Sequence, residues 1–449
     1  MNSRSTPSPI ELFNNVVAGL TVSFVAISLG AAFGILSQRG AFAGIISAGI
    51  IALVTSLLGG TRVQCSGPTA PMTAVSAVVI AFAHDELLAE IPTANPDHFI
   101  NVVFLLTGVI LLLAALLRLG RFINVVPKVV VSGFMDGIAI LIWLDQIKKL
   151  FGLGGETRFG GSLASNLALA VITFVLVMTL PRILKGLAPR ASRFLPATLM
   201  AIVGVSIVAN VAGLDAELVS LDTTLGSLAD IGSLIASQVP RDWSLNILIP
   251  ALGFAAQLAM LGYLDTLLTS KVVDKLTRED TKQDRELAAQ GIANGLIAFV
   301  GGIPGAQATI RSVLIINERA TMRLAGIMVG VFVLVEMLMF QNLISLIPQA
   351  VFAGLLFKVG YDVFDWLPMR LYARSRVGAQ TELGAFLAGS SNASQHVTHW
   401  EAFFIVGTTL GTLLWNLNAA VIGFSVLFYV VKRGTTISDL VTETEGLED

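Results

Sequence analysis

Nearly uncharged apolar stretches recur along this chain, with short clusters of Lys, Arg, Asp and Glu between them, and this alternation limits its fold more than any other feature. The apolar runs fall at 12–36, 41–58, 70–83, 99–117, 125–147, 165–181, 195–213, 245–269, 286–300, 306–317, 322–341, 343–359, 398–415 and 416–431. A helix needs about 20 apolar residues to cross about 30 Å of hydrocarbon, and the runs at 70–83 and 306–317 are too short for that. Only 13% of the residues are charged, about half the share in a soluble domain, and mean hydropathy is +0.81. The expected fold is therefore an all-α polytopic membrane protein with about fourteen transmembrane segments. One cysteine, Cys65, excludes an intrachain disulfide. The net charge of −2 says little about partners, since a membrane protein sorts charge by loop.

Loop charge sets the expected orientation. Alternate loops carry Arg118, Arg121 and Lys128; Arg182, Lys185, Arg190 and Arg193; Lys271, Lys275, Arg278, Lys282 and Arg285; Arg319 and Arg323; Arg370, Arg374 and Arg376; and Lys432 with Arg433. The opposite set is acidic or neutral, as at Asp85, Glu86, Glu90 and Asp97, or Asp215, Glu217 and Asp222. The positive-inside rule places the basic set and both termini in the cytoplasm, with Lys148, Lys149 and Arg158 as exceptions. The start, MNSRSTPSPIELF, lacks the basic region and cleavage site of a signal peptide, so it is expected to be retained. The expected organisation is a cytoplasmic start at 1–11, a first seven-span repeat at 12–214 and a connecting segment at 215–244. A second repeat follows at 245–432, then a short cytoplasmic tail at 433–449. Seven spans, an odd number, invert the second half relative to the first.

Two Gly/Pro-rich breaks stand at corresponding places in the halves: QCSGPTAPMT (Gln64 to Thr73) and GGIPGAQATIRS (Gly301 to Ser312). Irregular backbone at membrane depth is tolerated only where it lines a cavity or meets a ligand. A helix that starts there presents unpaired N–H groups and about half a positive charge. Two such starts facing each other make an anion site, with the Thr69 and Thr309 hydroxyls as further ligands. Proline kinks serving only packing are the alternative. Arg311 lies just inside the second half-helix; it either attracts the anion or pairs with Glu336 or Asp136. Asp265 and Thr269 are four apart and share a helix face, where they could hold a small cation. Asp265 could equally carry a proton or pair with Arg311.

Asp136, flanked by Gly133 and Gly137, reads as a structural group at a close helix contact. His396 and His399 read as loop residues, and TREDTKQDRE (Thr277 to Glu286) as a solvated cytoplasmic surface. No nucleophile–base or metal constellation gathers in the spans, so an enzyme is not expected.

DRELAAQGIANGLIAFVGGIPGAQATIRS (Asp284 to Ser312), GPTAPMTA (Gly67 to Ala74) and AGLTVSFVAISLGAAFG near the start resemble the SulP (sulfate permease) family of anion transporters, over about residues 10 to 432. LDTLLTS (Leu264 to Ser270), GAQATIRS and GPTAPMT are similar to its sodium-dependent bicarbonate-transporting branch from photosynthetic bacteria. The resemblance implies two inverted seven-helix repeats divided into core and gate domains, with the half-helices meeting at the midplane. The core would hold the first to fourth and eighth to eleventh spans. Sodium would be held by Asp265, Thr269, Ala308 and Thr309, and bicarbonate by Thr69, Ala70, Ala308 and Thr309, with Arg311 tuning the field. Gln307 stands where the sodium-coupled branch has a glycine, and AISLGAAFG lacks the proline common in the first helix. The carboxy-terminal STAS domain usual in the family is expected to be absent. The function implied is sodium-coupled bicarbonate symport by alternating access in the cell membrane, with no cofactor beyond the coupling ion. Sulfate or another oxyanion moved with protons or exchanged for chloride is the alternative, and an anion channel a further one. A homodimer is left open.

Overall fold

Each apolar run contains a helix in the computed structural model, which describes residues 8–433 apart from 93, 126, 154–157, 188–196, 220–227, 242, 373–398 and 415–416. His396, Arg190, Arg193, Asp222, Arg374, Arg376 and the 434–449 tail lie outside the described residues. The first half comprises α1 (Pro9–Leu36), α2 (Gly40–Leu58), β1 (Ser66–Gly67), α3 (Ala70–Glu90), α4 (Pro96–Leu116), α5 (Lys128–Phe151), α6 (Leu163–Leu187) and α7 (Ala197–Val211). After α8 (Leu228–Gln238), the second half comprises α9 (Leu245–Thr277), α10 (Gln283–Ile297), β2 (Ala306–Gln307), α11 (Thr309–Asn317), α12 (Arg323–Ile344), α13 (Gln349–Val363), α14 (His399–Leu414) and α15 (Leu417–Lys432). Eight of these helices are long and apolar enough to cross a membrane. The protein is an all-α, multi-pass membrane protein.

Two elements differ from the sequence reading. The segment expected to be a short half-helix at 70–83 continues to Glu90, because His84–Glu90 is polar but rich in helix formers and extends the helix beyond its apolar part. Of the two segments that follow the breaks, α11, with 9 residues, is the short one. The connecting segment contains α8, whose apolar residues are too few to stand out against the polar stretch around them.

The chain divides into two compact units: Met1–Ile123 with Gln146–Lys358, and Asn124–Asp145 with Val359–Asp449. Small residues set the helix crossings in the first. A Cβ on Gly108 of α4 would meet the Gly291 carbonyl of α10, and one on Gly330 of α12 would meet Gly49 and Leu53 of α2. Such close backbone approach is the usual basis of helix packing in membranes, where lipid removes the hydrophobic drive for association.

The second unit uses the same device. Gly133 and Gly137 of α5 lie against Ile405, Thr408 and Thr412 of α14, and Thr409 Oγ1 donates to the Gly133 carbonyl at 2.9 Å. Asp136 accepts the Asp365 amide at 2.7 Å beside this contact. His399 Nδ1 lies 3.2 Å from the Tyr372 hydroxyl.

Candidate functional site

Proline dictates where each break must fall. Pro68 and Pro304 have no N–H to donate, so neither following helix can extend back through them. Pro71 is tolerated in the first turn of α3, where its N–H would be orphaned in any case. The extended residues before each helix then pair with each other: Ser66 opposes Gln307 and Gly67 opposes Ala306 in an antiparallel ribbon. The Ala308 amide extends the ribbon by donating to the Cys65 carbonyl at 3.1 Å. The ribbon brings the two breaks together backbone to backbone, which packing kinks would not require. Gly305 lies so close to the Gly67 carbonyl and the Pro68 nitrogen that a Cβ there would overlap both.

A polar stripe along α10 holds the ribbon. Glu286, Gln290 and Asn294 are spaced by four, share one helix face and are each 0% exposed. Asn294 grips Gly305 at both ends, donating to its carbonyl at 2.9 Å and accepting its amide at 2.8 Å. Gln290 donates to Ser66 Oγ at 2.7 Å, which in turn donates to Gln64 Oε1 at 2.6 Å. Glu286 accepts the amides of Gly60 and Thr61 at 2.8 and 2.9 Å and the Gln64 side chain at 3.0 Å. Glu286 is thus a buried brace for the first break, and not the solvated residue expected at the end of Thr277 to Glu286. Ser47 Oγ accepts the Ile303 amide at 2.7 Å, and Thr266 Oγ1 accepts that of Gln307 at 3.3 Å.

Arg39, between α1 and α2, secures the far end of the second break. Its guanidinium donates to the Gly302 carbonyl at 3.2 Å, Asn101 Oδ1 at 2.6 Å and Gln238 Oε1 at 3.1 Å. Burial lowers its pKa to about 10, against the raising effect of Asp97, whose carboxylate is 3.8 Å away. Sequence reasoning missed both Arg39 and the α10 stripe. The four-residue spacing of Glu286, Gln290 and Asn294, in a helix otherwise apolar after Arg285, was the available signal for the stripe.

The residues expected to bind ligands gather at the two helix starts. Thr69 caps α3 and Ala308 caps α11, yet neither uses a side chain to satisfy its helix. Among the described hydrogen bonds none engages the amides of Ala70, Met72, Thr309, Ile310 or Arg311, leaving donors at both starts. Ala308 differs: its amide belongs to the ribbon and its carbonyl accepts the Ser312 amide at 2.9 Å. Thr269 Oγ1 and Thr309 Oγ1 lie 2.6 Å apart, joining α9 to the start of α11. Thr269 is buried, whereas Thr309 is exposed.

Asp265 stands one turn before Thr269 on α9 and faces Thr69 and Arg311. Its Oδ2 and the Thr69 hydroxyl are buried without a hydrogen-bond partner. Arg311 is 1% exposed and donates from one nitrogen to the Pro68 carbonyl at 2.8 Å, while Nε and Nη1 remain unpartnered. It feels the charge of Asp265, but among the described residues it forms no ion pair. Glu336, a partner weighed from sequence, instead accepts Ser23 Oγ at 2.7 Å. A carboxylate oxygen, two hydroxyls and free amides flank one guanidinium, an arrangement suited to an anion and a small hard cation together.

Known proteins give a consistent picture. Residues 12–374 match the sulfate permease family. The chain is 32% identical over 373 residues to the bicarbonate transporter BicA of Picosynechococcus, covering 78% of this chain and 62% of that protein. It is 34% identical over 371 residues to BicA of Synechocystis, covering 79% and 62%. The chain therefore spans about three-fifths of the length of these curated relatives. A putative sulfate transporter of Bacillus subtilis, YbaR, is 25% identical over 364 residues, covering 79% of this chain and 68% of that protein. Among solved structures, the transmembrane domain of a cyanobacterial BicA superposes with a TM-score of 0.74 at 30% identity, covering 92% of this chain and 97% of that one. The murine Solute Carrier 26 family member A9 anion transporter gives 0.70 at 16% identity, covering 94% and 68%, a likeness of fold alone.

Proposed function

We propose that this chain, which belongs to the sulfate permease family, couples the entry of sodium to that of bicarbonate by alternating access. One observation carries the reading: the ribbon between Ser66–Gly67 and Ala306–Gln307 joins two helix starts beside an unpaired guanidinium and a carboxylate oxygen without a donor. Bicarbonate would sit against the free amides of both starts, the Thr69 hydroxyl and Arg311. Sodium would take oxygens from Asp265, Thr269 and Thr309. The Ala308 carbonyl has a second lone pair to offer beyond its helix bond. One cation, one monoanion, Asp265 and Arg311 sum to zero charge, which limits the desolvation penalty of a closed site. No bond is made or broken; the chemistry is selective binding at membrane depth. The loop charges favour a cell-membrane protein with both termini in the cytoplasm.

A second reading, sulfate transport, is favoured by relatives such as YbaR that are named putative sulfate transporters. A divalent anion would leave the same four-charge site one negative charge in excess, which argues for the monoanion. Uptake of radiolabelled bicarbonate and sulfate into proteoliposomes, with and without a sodium gradient, separates the two. Wild-type protein is expected to accumulate bicarbonate only with inward sodium, and Asp265→Asn to lose that dependence. Bicarbonate uptake by the wild type that ignores sodium ends the coupling proposal, and efficient sulfate uptake that bicarbonate cannot displace ends the choice of substrate.

A further inference from the structure

Glu336 has no role in the site described above, yet it is 5% exposed at membrane depth with Oε2 unpartnered. It lies in the wall of a cavity of about 660 Å³ bounded by α1, α7 and α12. Phe24 and Ile27 of α1, Ile202 and Ile207 of α7, and Phe340 of α12 make most of that wall apolar, and among the described residues Glu336 is the only ionisable one in the lining. The volume is that of a small-molecule pocket: mainly apolar with few polar groups. Four residues beyond Glu336, α12 leaves helical geometry at Phe340 (φ −113°, ψ 15°).

We propose that this cavity binds a lipophilic monoamine, an alkyl chain ending in a protonated amine, with Glu336 as its charge partner. The aliphatic and aromatic wall suits the chain. The free carboxylate oxygen calls for a positively charged N–H donor, because a buried carboxylate needs both compensation and a hydrogen bond. The same charge excludes the anions that the two helix starts attract, so the two sites take opposite ligands. A phospholipid ammonium does not fit, since Glu336 lies eight residues before the end of α12, about 12 Å along the helix. An uncharged acyl chain would fill the space and leave Oε2 without a donor.

The test uses the full chain in lipid nanodiscs, titrated with decylamine or with decanol, and reads apparent affinity from the rise in unfolding temperature. Wild-type protein should bind decylamine about tenfold more tightly than decanol, the worth of one charge-assisted hydrogen bond. Glu336→Gln should bring the two ligands level, and Ser206→Trp, which fills the cavity from α7, should weaken both. Equal affinity of the wild type for amine and alcohol would mean acyl-chain filling only and overturn the proposal. An amine preference that survives Glu336→Gln would overturn it too, by reporting the bilayer. Should Glu336→Gln not fold, Ser206→Trp decides alone: weakened decylamine binding supports the site, and unchanged binding refutes it.

Discussion

Glu286→Gln exchanges one carboxylate oxygen for nitrogen at almost constant volume. N–H donors reach both oxygens of the native carboxylate: Gly60 and Thr61 at 2.8 and 2.9 Å on one, Gln64 and Gln290 at 3.0 and 3.2 Å on the other. A glutamine that keeps its oxygen toward the backbone amides turns its nitrogen against two further nitrogens. Gln290 could rotate and present Oε1, which is otherwise unpartnered, but would then release Ser66 Oγ. Gln64 cannot rotate without losing the Thr55 carbonyl at 3.1 Å and its bond from Ser66 Oγ. Two hydrogen bonds to a charged group are lost, at about 1.5–3 kcal/mol each, and rotation of Gln290 recovers at most about 1 kcal/mol. The expected loss is therefore about 2–6 kcal/mol, concentrated in the 60–66 loop that leads into β1. Thermal unfolding of purified protein should show a lowered midpoint, and uptake into proteoliposomes should fall with it. A variant with wild-type midpoint and transport would refute the argument, because it would mean that Glu286 is not an ionised acceptor.

Gly305→Ala should prevent the ribbon from closing, since the new methyl overlaps the Gly67 carbonyl and the Pro68 nitrogen. Overpacking against rigid backbone predicts a loss of about 3 kcal/mol, read as a lowered unfolding midpoint, and Ala at the exposed glycine Gly253 serves as the control. Thr309→Val keeps the shape of the side chain but removes the hydroxyl facing Thr269, and should raise the sodium concentration for half-maximal uptake about tenfold; an unchanged sodium dependence would remove this hydroxyl from the ligand set. Arg39→Gln shortens the reach to Gly302, Asn101 and Gln238 and should destabilise that end by about 3 kcal/mol. Faster protease cleavage around 239–244 would report it, and cleavage at the wild-type rate would show that α8 is held by other contacts.

Apolar length located the helices apart from α8, because lipid leaves the backbone few ways to satisfy its hydrogen bonds. Pro68 and Pro304 located the breaks for a local reason, the missing donor. Pairing between the breaks was not legible: Ser66 and Gln307 carry no local sign of each other, and a two-residue strand has no periodicity. Glu286 was misread because charge beside a charged loop resembles solvated surface, while its four donors come from both near and distant sequence. Thr69 and Thr309 were legible as hydroxyls at helix starts, and Asp265 and Thr269 as a pair on one helix face. The commitment of the Ala308 amide to Cys65 emerged only from the ribbon. Ends of helices were the weakest inference, as at α3, where hydropathy fades seven residues before the helix does.

The ribbon has a consequence for biosynthesis. Its two strands lie in opposite halves of the chain, so β1 leaves the ribosome long before its partner exists. Until Glu286 and Gln290 arrive, the Gly60 and Thr61 amides lack the carboxylate that accepts them and Ser66 Oγ lacks its donor. Closing so long a loop is entropically slow and must follow insertion of the first half. The ligand pocket is thus completed only when segments from both halves are in place.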